Sequence, residues 1–207
     1  MGASRVPPRP TADEALSLLV EGNRRFRQGK TRRAAFRRET LADLAKGQRP
    51  YATILGCSDS RVPPEWVFDA GLGELFVIRV AGNVLSPEVA GSMQYAGSIL
   101  ETPLFIVLGH EGCGAIDAAL ASKHEGKQFR SRVQLLLASL VPGLPDLDPE
   151  LTHAKRLSHA VENNVRWTVR RILESPEGTS RAREGRVKII GAVYDIKTGR
   201  VRLLIPE

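Results

Sequence analysis

The sequence predicts an α/β fold: a mainly parallel central β-sheet flanked by helices, with an N-terminal helical arm and an antiparallel edge strand at the C-terminus. Three observations carry that expectation. Short apolar runs alternate with longer amphipathic stretches, the order that builds strand–helix–strand units. The strongest run, Leu104-Phe105-Ile106-Val107-Leu108, shows no polar alternation, as a strand covered on both faces requires. The last two runs, Val187 to Ile196 and Val201 to Ile205, are joined by Lys197-Thr198-Gly199 and read as a hairpin at a sheet edge.

Taken in order, Thr11-Ala12-Asp13-Glu14 is a capping box that opens a helix. Leu16, Leu19, Val20 and Phe26 fall on one side of that helix, which ends near Gly29. A second, short helix is expected from Glu39 to Lys46, stopped by Gly47. Tyr51 to Gly56 reads as a buried strand, followed by the loop Cys57–Pro64 and a helical turn over 65–69. Leu75 to Val80 is the second strand. Ser86 as N-cap and Pro87 at N1 open a helix to Glu101. After the third strand and Gly109-His110-Glu111-Gly112, a helix begins near Cys113 and runs through Leu120. Further helices are expected over 129–140 and 150–174, with a polar loop over 175–185. The whole reads as a single domain, with residues 1–46 as an arm that packs on a partner subunit and 47–207 as the core.

The 207 residues are enough for one sizeable core, and no apolar run approaches the ~20 residues of a membrane span. Residues 1–10 lack the apolar stretch of a secretory signal, which leaves the reducing cytoplasm as the expected compartment. Two cysteines 56 positions apart are no disulfide framework there. The formal net charge of +7 belongs to residues 1–50, which hold 12 Lys/Arg against 5 Asp/Glu; the rest is balanced at 18 each. A solvated helix face explains that excess better than nucleic acid, since no nucleic-acid motif accompanies it.

Both cysteines end apolar strands. In a parallel sheet, ligands gather beyond the carboxyl ends of the strands. Cys57 follows the first strand; His110 and Cys113 follow the third. Two thiolates and an imidazole are a zinc ligand set, and three protein ligands leave the fourth position open, as catalytic sites do. Asp59 and Arg61, two apart in the same loop, would point to one side and could orient a bound water. Asp59 could instead reach the metal and close the site. Taken singly, each residue has a plainer reading: a buried cysteine as a small apolar group, the Asp–Arg pair as a turn-stabilising ion pair.

Cys57-Ser58-Asp59-Ser60-Arg61 and His110-Glu111-Gly112-Cys113 together resemble the signature of the β-class carbonic anhydrases, C-x-D-x-R followed by H-x-x-C. The similarity continues through Val62-Pro63-Pro64-Glu65, Gly73 to Val77, Arg79, Asn83 and Gln94-Tyr95-Ala96, and covers residues 47–120 closely. The resemblance implies a Zn2+ enzyme that hydrates carbon dioxide reversibly to bicarbonate and a proton by zinc-bound hydroxide. It implies Cys57, His110 and Cys113 as ligands and Asp59 and Arg61 as the catalytic dyad. It also implies a homodimer or dimer of dimers, with Gln48, Phe76 and Tyr95 lining a substrate pocket at the interface and Gly114 beside them. Neither nucleic acid nor membrane belongs to that picture. Members that bind regulatory bicarbonate use a Trp and an Arg; Arg79 matches the Arg, but the Trp position is Ile54 here, which favours a water-bound site. His124 reads as an exposed helix-end histidine, with a proton relay as its lesser reading. The alternatives are hydrolysis of carbonyl sulfide or carbon disulfide at the same site, and a non-catalytic zinc-stabilised scaffold. A scaffold has no use for Asp59, Arg61 and Gln48.

Overall fold

The computed structural model describes residues 9–32, 38–146, 148–185 and 187–204. Five strands form one sheet: β1 (Ala52–Gly56), β2 (Leu75–Arg79), β3 (Leu104–His110), β4 (Lys188–Tyr194) and β5 (Val201–Leu204), in the order β2-β1-β3-β4-β5. The first four run parallel and β5 pairs antiparallel with β4. The expected class and the terminal hairpin are therefore both present. β1 and β3 are buried at every position, which is why neither shows polar alternation.

The helices among the described residues are α1 (Ala12–Arg27), α2 (Arg38–Leu44), α3 (Pro64–Val67), α4 (Pro87–Ser98), α5 (Gly114–Glu125), α6 (Ser131–Leu140), α7 (His153–Glu174) and α8 (Pro176–Arg183). None is long and apolar enough to cross a membrane. α7 lies over β3 and β4, its Val165 seated against Gly109 and Gly191, where a Cβ would come within 2.6 and 2.8 Å of it. α8 corrects the expectation of a loop over 175–185. The Ser175 hydroxyl accepts from the Gly178 amide at 3.0 Å, and Pro176 supplies a preset first residue, so a polar stretch is helical for local reasons that periodicity does not register.

α1 opens on the expected capping box, with Thr11 N donating to Glu14 at 2.7 Å. Its buried stripe is Ala15, Leu19, Gly22 and Asn23, while Val20, expected on that face, is 51% exposed. Asn23 donates to the Val67 and Gly199 carbonyls at 3.0 and 2.8 Å and accepts from Val201 N at 3.1 Å. Arg25 Nε meets the buried Asp69 carboxylate at 2.5 Å. Burial pushes Asp69 up, but hydrogen bonds from Arg25 and from the Arg32 amide, with both charges, outweigh it and hold the carboxyl below its ordinary range. α1 thus docks on its own chain, which leaves Leu18 and Val20 outward.

Candidate metal centre

β1 and β3 are adjacent and parallel, with Gly56 opposite Leu108. The residues just beyond their carboxyl ends are therefore neighbours. Cys57, His110 and Cys113 are all buried, and their ligand atoms lie within 4.8 Å of one another. Gly112 (φ 65) turns the chain between His110 and Cys113, and Cys113 is the N-cap of α5. The start of α5, at Ala115 and Ile116, favours the thiolate form there.

The donor set passes a simple test of fit. His110 Nδ1 lies 3.0 Å from the Glu111 carbonyl oxygen. Nδ1–H donates there, which leaves the lone pair on Nε2. Nε2 is buried and has no hydrogen-bond partner. The sulfurs of Cys57 and Cys113 are 3.9 Å apart. A tetrahedral cation bound through sulfur at about 2.3 Å would set them about 3.8 Å apart.

Charge in the cluster is strongly interdependent. Cys57 is pulled well below an ordinary thiol, first by the hydrogen bond from Cys113 and then, against burial, by the His110 ring and the Asp59 and Gly82 amides. Cys113, the proton donor of that pair, is pushed up by Cys57 and by burial. Burial pushes His110 down, yet the Cys57 thiolate beside it outweighs this and raises it. A bound cation would replace the shared proton and let both sulfurs ionise.

Asp59 sits at the mouth, its side chain 18% exposed. Arg61 clamps it three times: Nε to Oδ1 at 2.9 Å, Nη2 to Oδ2 at 2.7 Å, and the backbone amide to Oδ1 at 2.9 Å. Those hydrogen bonds hold the carboxyl far below the usual range. Asp59 Oδ2 is 3.8 Å from His110 Nε2, beyond hydrogen-bond reach. Arg79 Nε and Nη2 donate to the Cys57 and Asp59 carbonyls at 3.0 and 2.5 Å, so this side chain, matched above to a bicarbonate ligand, here fixes the loop. Ile54 is fully buried in β1.

The expected pocket residues lie elsewhere. Gln48 is exposed on the amino side of β1, whose five residues span about 16 Å from that end to Cys57. Phe76 is the second residue of β2, opposite Thr53, and its ring is 6.1 Å from that of Tyr95 near the end of α4. Gly114 alone adjoins a ligand, as the exposed first residue of α5 with open space where a Cβ would be. His124 is at the far end of α5, roughly 16 Å from Cys113, with Nε2 3.3 Å from the Pro145 carbonyl oxygen. An apolar cavity of about 320 Å³ between α4, α8 and β4 includes none of the ligands. The Gly82 amide on Cys57 Sγ, at 3.3 Å, was not anticipated from the sequence. The Gly-Asn pair closely following β2 signals the turn but not its contact with the sulfur.

Known proteins resemble this chain in both sequence and fold. The sequence model of a family described as carbonic anhydrase matches residues 52–201. Carbonic anhydrase 2 of Mycobacterium tuberculosis is 37% identical over 194 residues, covering 91% of each chain. A carbonic anhydrase of Mycolicibacterium smegmatis is 35% identical over 190 residues with the same coverage. Among solved structures, a Coccomyxa β-carbonic anhydrase superposes with a TM-score of 0.72 at 28% identity, over 92% of this chain and 86% of that one. The β-carbonic anhydrase CcaA gives 0.71 at 26%, over 92% and 99%.

Proposed function

The chain belongs to the β class of the carbonic anhydrase family, and from that premise we propose that it hydrates carbon dioxide reversibly to bicarbonate and a proton at a zinc ion held by Cys57, His110 and Cys113. The observation that carries this reading is the convergence of two sulfurs and a free imidazole nitrogen within 4.8 Å, next to a carboxylate already clamped by an arginine. Zinc, when bound, supplies a Lewis acid that brings the pKa of a water from about 16 to roughly 7.

Everything else is done by the chain. Asp59 accepts a hydrogen bond from the reacting water and aims its lone pair at carbon dioxide, while Arg61 keeps the carboxylate from swinging inward. Its two side-chain bonds to Arg61 support an open site with Asp59 off the metal. Asp59 is too acidic to carry the released proton, which leaves to solvent.

The homodimer belongs to the same reading. Among the described residues β2 pairs on one side only, and its Leu75, Phe76, Val77 and Ile78 are half-buried beside exposed Tyr95 and Ile99. An apolar edge of that kind invites another strand. A two-fold axis there would run the β2 strands antiparallel and bring Gln48, Phe76 and Tyr95 of one chain toward the carboxyl ends of the partner's strands. The outward Leu18 and Val20 of α1 would extend the contact. Two thiols 3.9 Å apart also favour a reducing compartment, the cytoplasm.

A stopped-flow pH-indicator assay tests the function. Chelation of zinc should abolish carbon dioxide hydration and added zinc restore it; full activity in a proven zinc-free sample overturns the proposal.

A further inference from the structure

Asn164 lies in the middle of α7, fully buried on the same stripe as Val161, Val165 and Thr168. An amide there is costly unless paired. Its Nδ2 donates to the Gly82 carbonyl at 3.0 Å, and its Oδ1 has no partner. An apolar side chain of similar size would fill the space without that orphaned oxygen. What asparagine has that leucine lacks is the donor to Gly82.

Gly82 needs such an anchor. It sits in the 3-10 turn Ala81–Asn83, with φ 67, followed by Asn83 at φ 45. The turn is closed by the Asn83 amide donating to the Val80 carbonyl at 2.9 Å, a bond that leaves the Gly82 carbonyl itself to an outside donor. A Cβ on Gly82 would lie 2.8 Å from Leu140 Cδ1, so the turn is wedged against α6 with room for glycine alone. Its amide donates to Cys57 Sγ at 3.3 Å. The Gly82 residue is therefore tied at its carbonyl by α7 and at its amide to the sulfur, so the two bonds fix the peptide units on either side of its Cα.

We propose that Asn164 is a positioning residue for the metal centre: by holding the Gly82 carbonyl, it aims the Gly82 amide at Cys57 Sγ and so sets how much charge that thiolate gives to the ion. The inference rests on the reading of Cys57 as a ligand. An amide aimed at a ligating sulfur draws charge from it and stabilises the thiolate. Asn164→Leu leaves the ligands and Asp59 untouched and releases only the turn.

The test uses the holoenzyme and its cobalt-substituted form. N164L should move the sulfur-to-cobalt charge-transfer band to lower energy and weaken zinc affinity about 10- to 100-fold in competition with a chelator. Thr168→Val, which removes another buried and unpartnered polar group one turn along α7, should change neither. A folded N164L with the wild-type band and affinity overturns the proposal, as does a T168V that matches N164L. If N164L does not fold, the wild-type protein loaded with cadmium-113 decides: coupling between the cadmium nucleus and the Gly82 amide proton supports the link, and its absence overturns it. Unchanged zinc content in Cys57→Ser would instead sink the ligand reading itself.

Discussion

At the carboxyl ends of β1 and β3, three ligand atoms lie within 4.8 Å, all buried, with a clamped carboxylate at the mouth. At the amino ends of β1 and β2, Gln48 is exposed, Phe76 half-buried and Tyr95 46% exposed. The same strands carry both sets. The first is complete within one chain because metal ligands must converge to fractions of an ångström, and neighbouring parallel strands deliver that. The second set lies toward the opposite ends of those strands, with Gln48 separated from Cys57 by the roughly 16 Å length of β1. A single chain accordingly brings Cys57, His110 and Cys113 together by itself, whereas the substrate wall proposed above would need Gln48, Phe76 and Tyr95 from a second copy.

The comparison is broken most completely at the finished end. Cys113→Ser removes one of three ligands from a buried cluster. The expected outcome is loss of stoichiometric zinc by elemental analysis and hydration at the uncatalysed rate. A C113S protein with full zinc would mean that the cluster is not the ligand set. Next in size is Asp59→Asn. It should retain zinc and lose about 10²- to 10³-fold in kcat/KM, because an amide oriented by Arg61 cannot accept from the reacting water in the same way. If D59N loses zinc instead, Asp59 is a ligand and the site is of the closed kind.

The sharpest test of the division between the ends is a mixing experiment. Gln48→Ala should lower kcat/KM about 10- to 100-fold by removing an amide donor from the pocket. C113S on its own should be inactive. Mixed and allowed to exchange subunits, the two should recover to about a quarter of wild-type activity, because the heterodimer joins an intact zinc centre on one chain to an intact Gln48 on the other. If Gln48 serves its own chain, mixing recovers nothing.

The ligand cluster was legible in the sequence and the long-range contacts around it were not, for a physical reason. Cys57, His110 and Cys113 each follow a run whose strand character is strong, so knowing the fold class sufficed to put them together. Asp59 and Arg61 are two apart, and their pairing is local. The docking of α1 through Asn23 depends on contacts across 176 residues, and nothing in the helix itself announces them. Gly82 and Asn164 are linked across 82 residues by one hydrogen bond inside the core, where sequence shows only a turn and a polar residue on an apolar stripe. α8 was missed because its local cap outweighs its composition.

The smallest expected effect lies at the unfinished end, and it separates packing from assembly. Tyr95 and Phe76 meet with ring centroids 6.1 Å apart and planes inclined at 33°, an arrangement worth about 0.5–1.5 kcal/mol beyond the area it covers. Within one chain Tyr95 is too exposed to contribute much more. Tyr95→Ala should therefore cost on the order of 1 kcal/mol in chemical denaturation if the ring serves only its own chain. A ring that also lies in an interface gains what a partner adds by covering it. The loss then appears as a weaker dimer, visible in sedimentation at low protein concentration, and as a melting temperature that depends on concentration more steeply than in the wild type. An unchanged dimer together with a loss of about 1 kcal/mol would confine Tyr95 to its own chain. The shared wall would then rest on Gln48 alone.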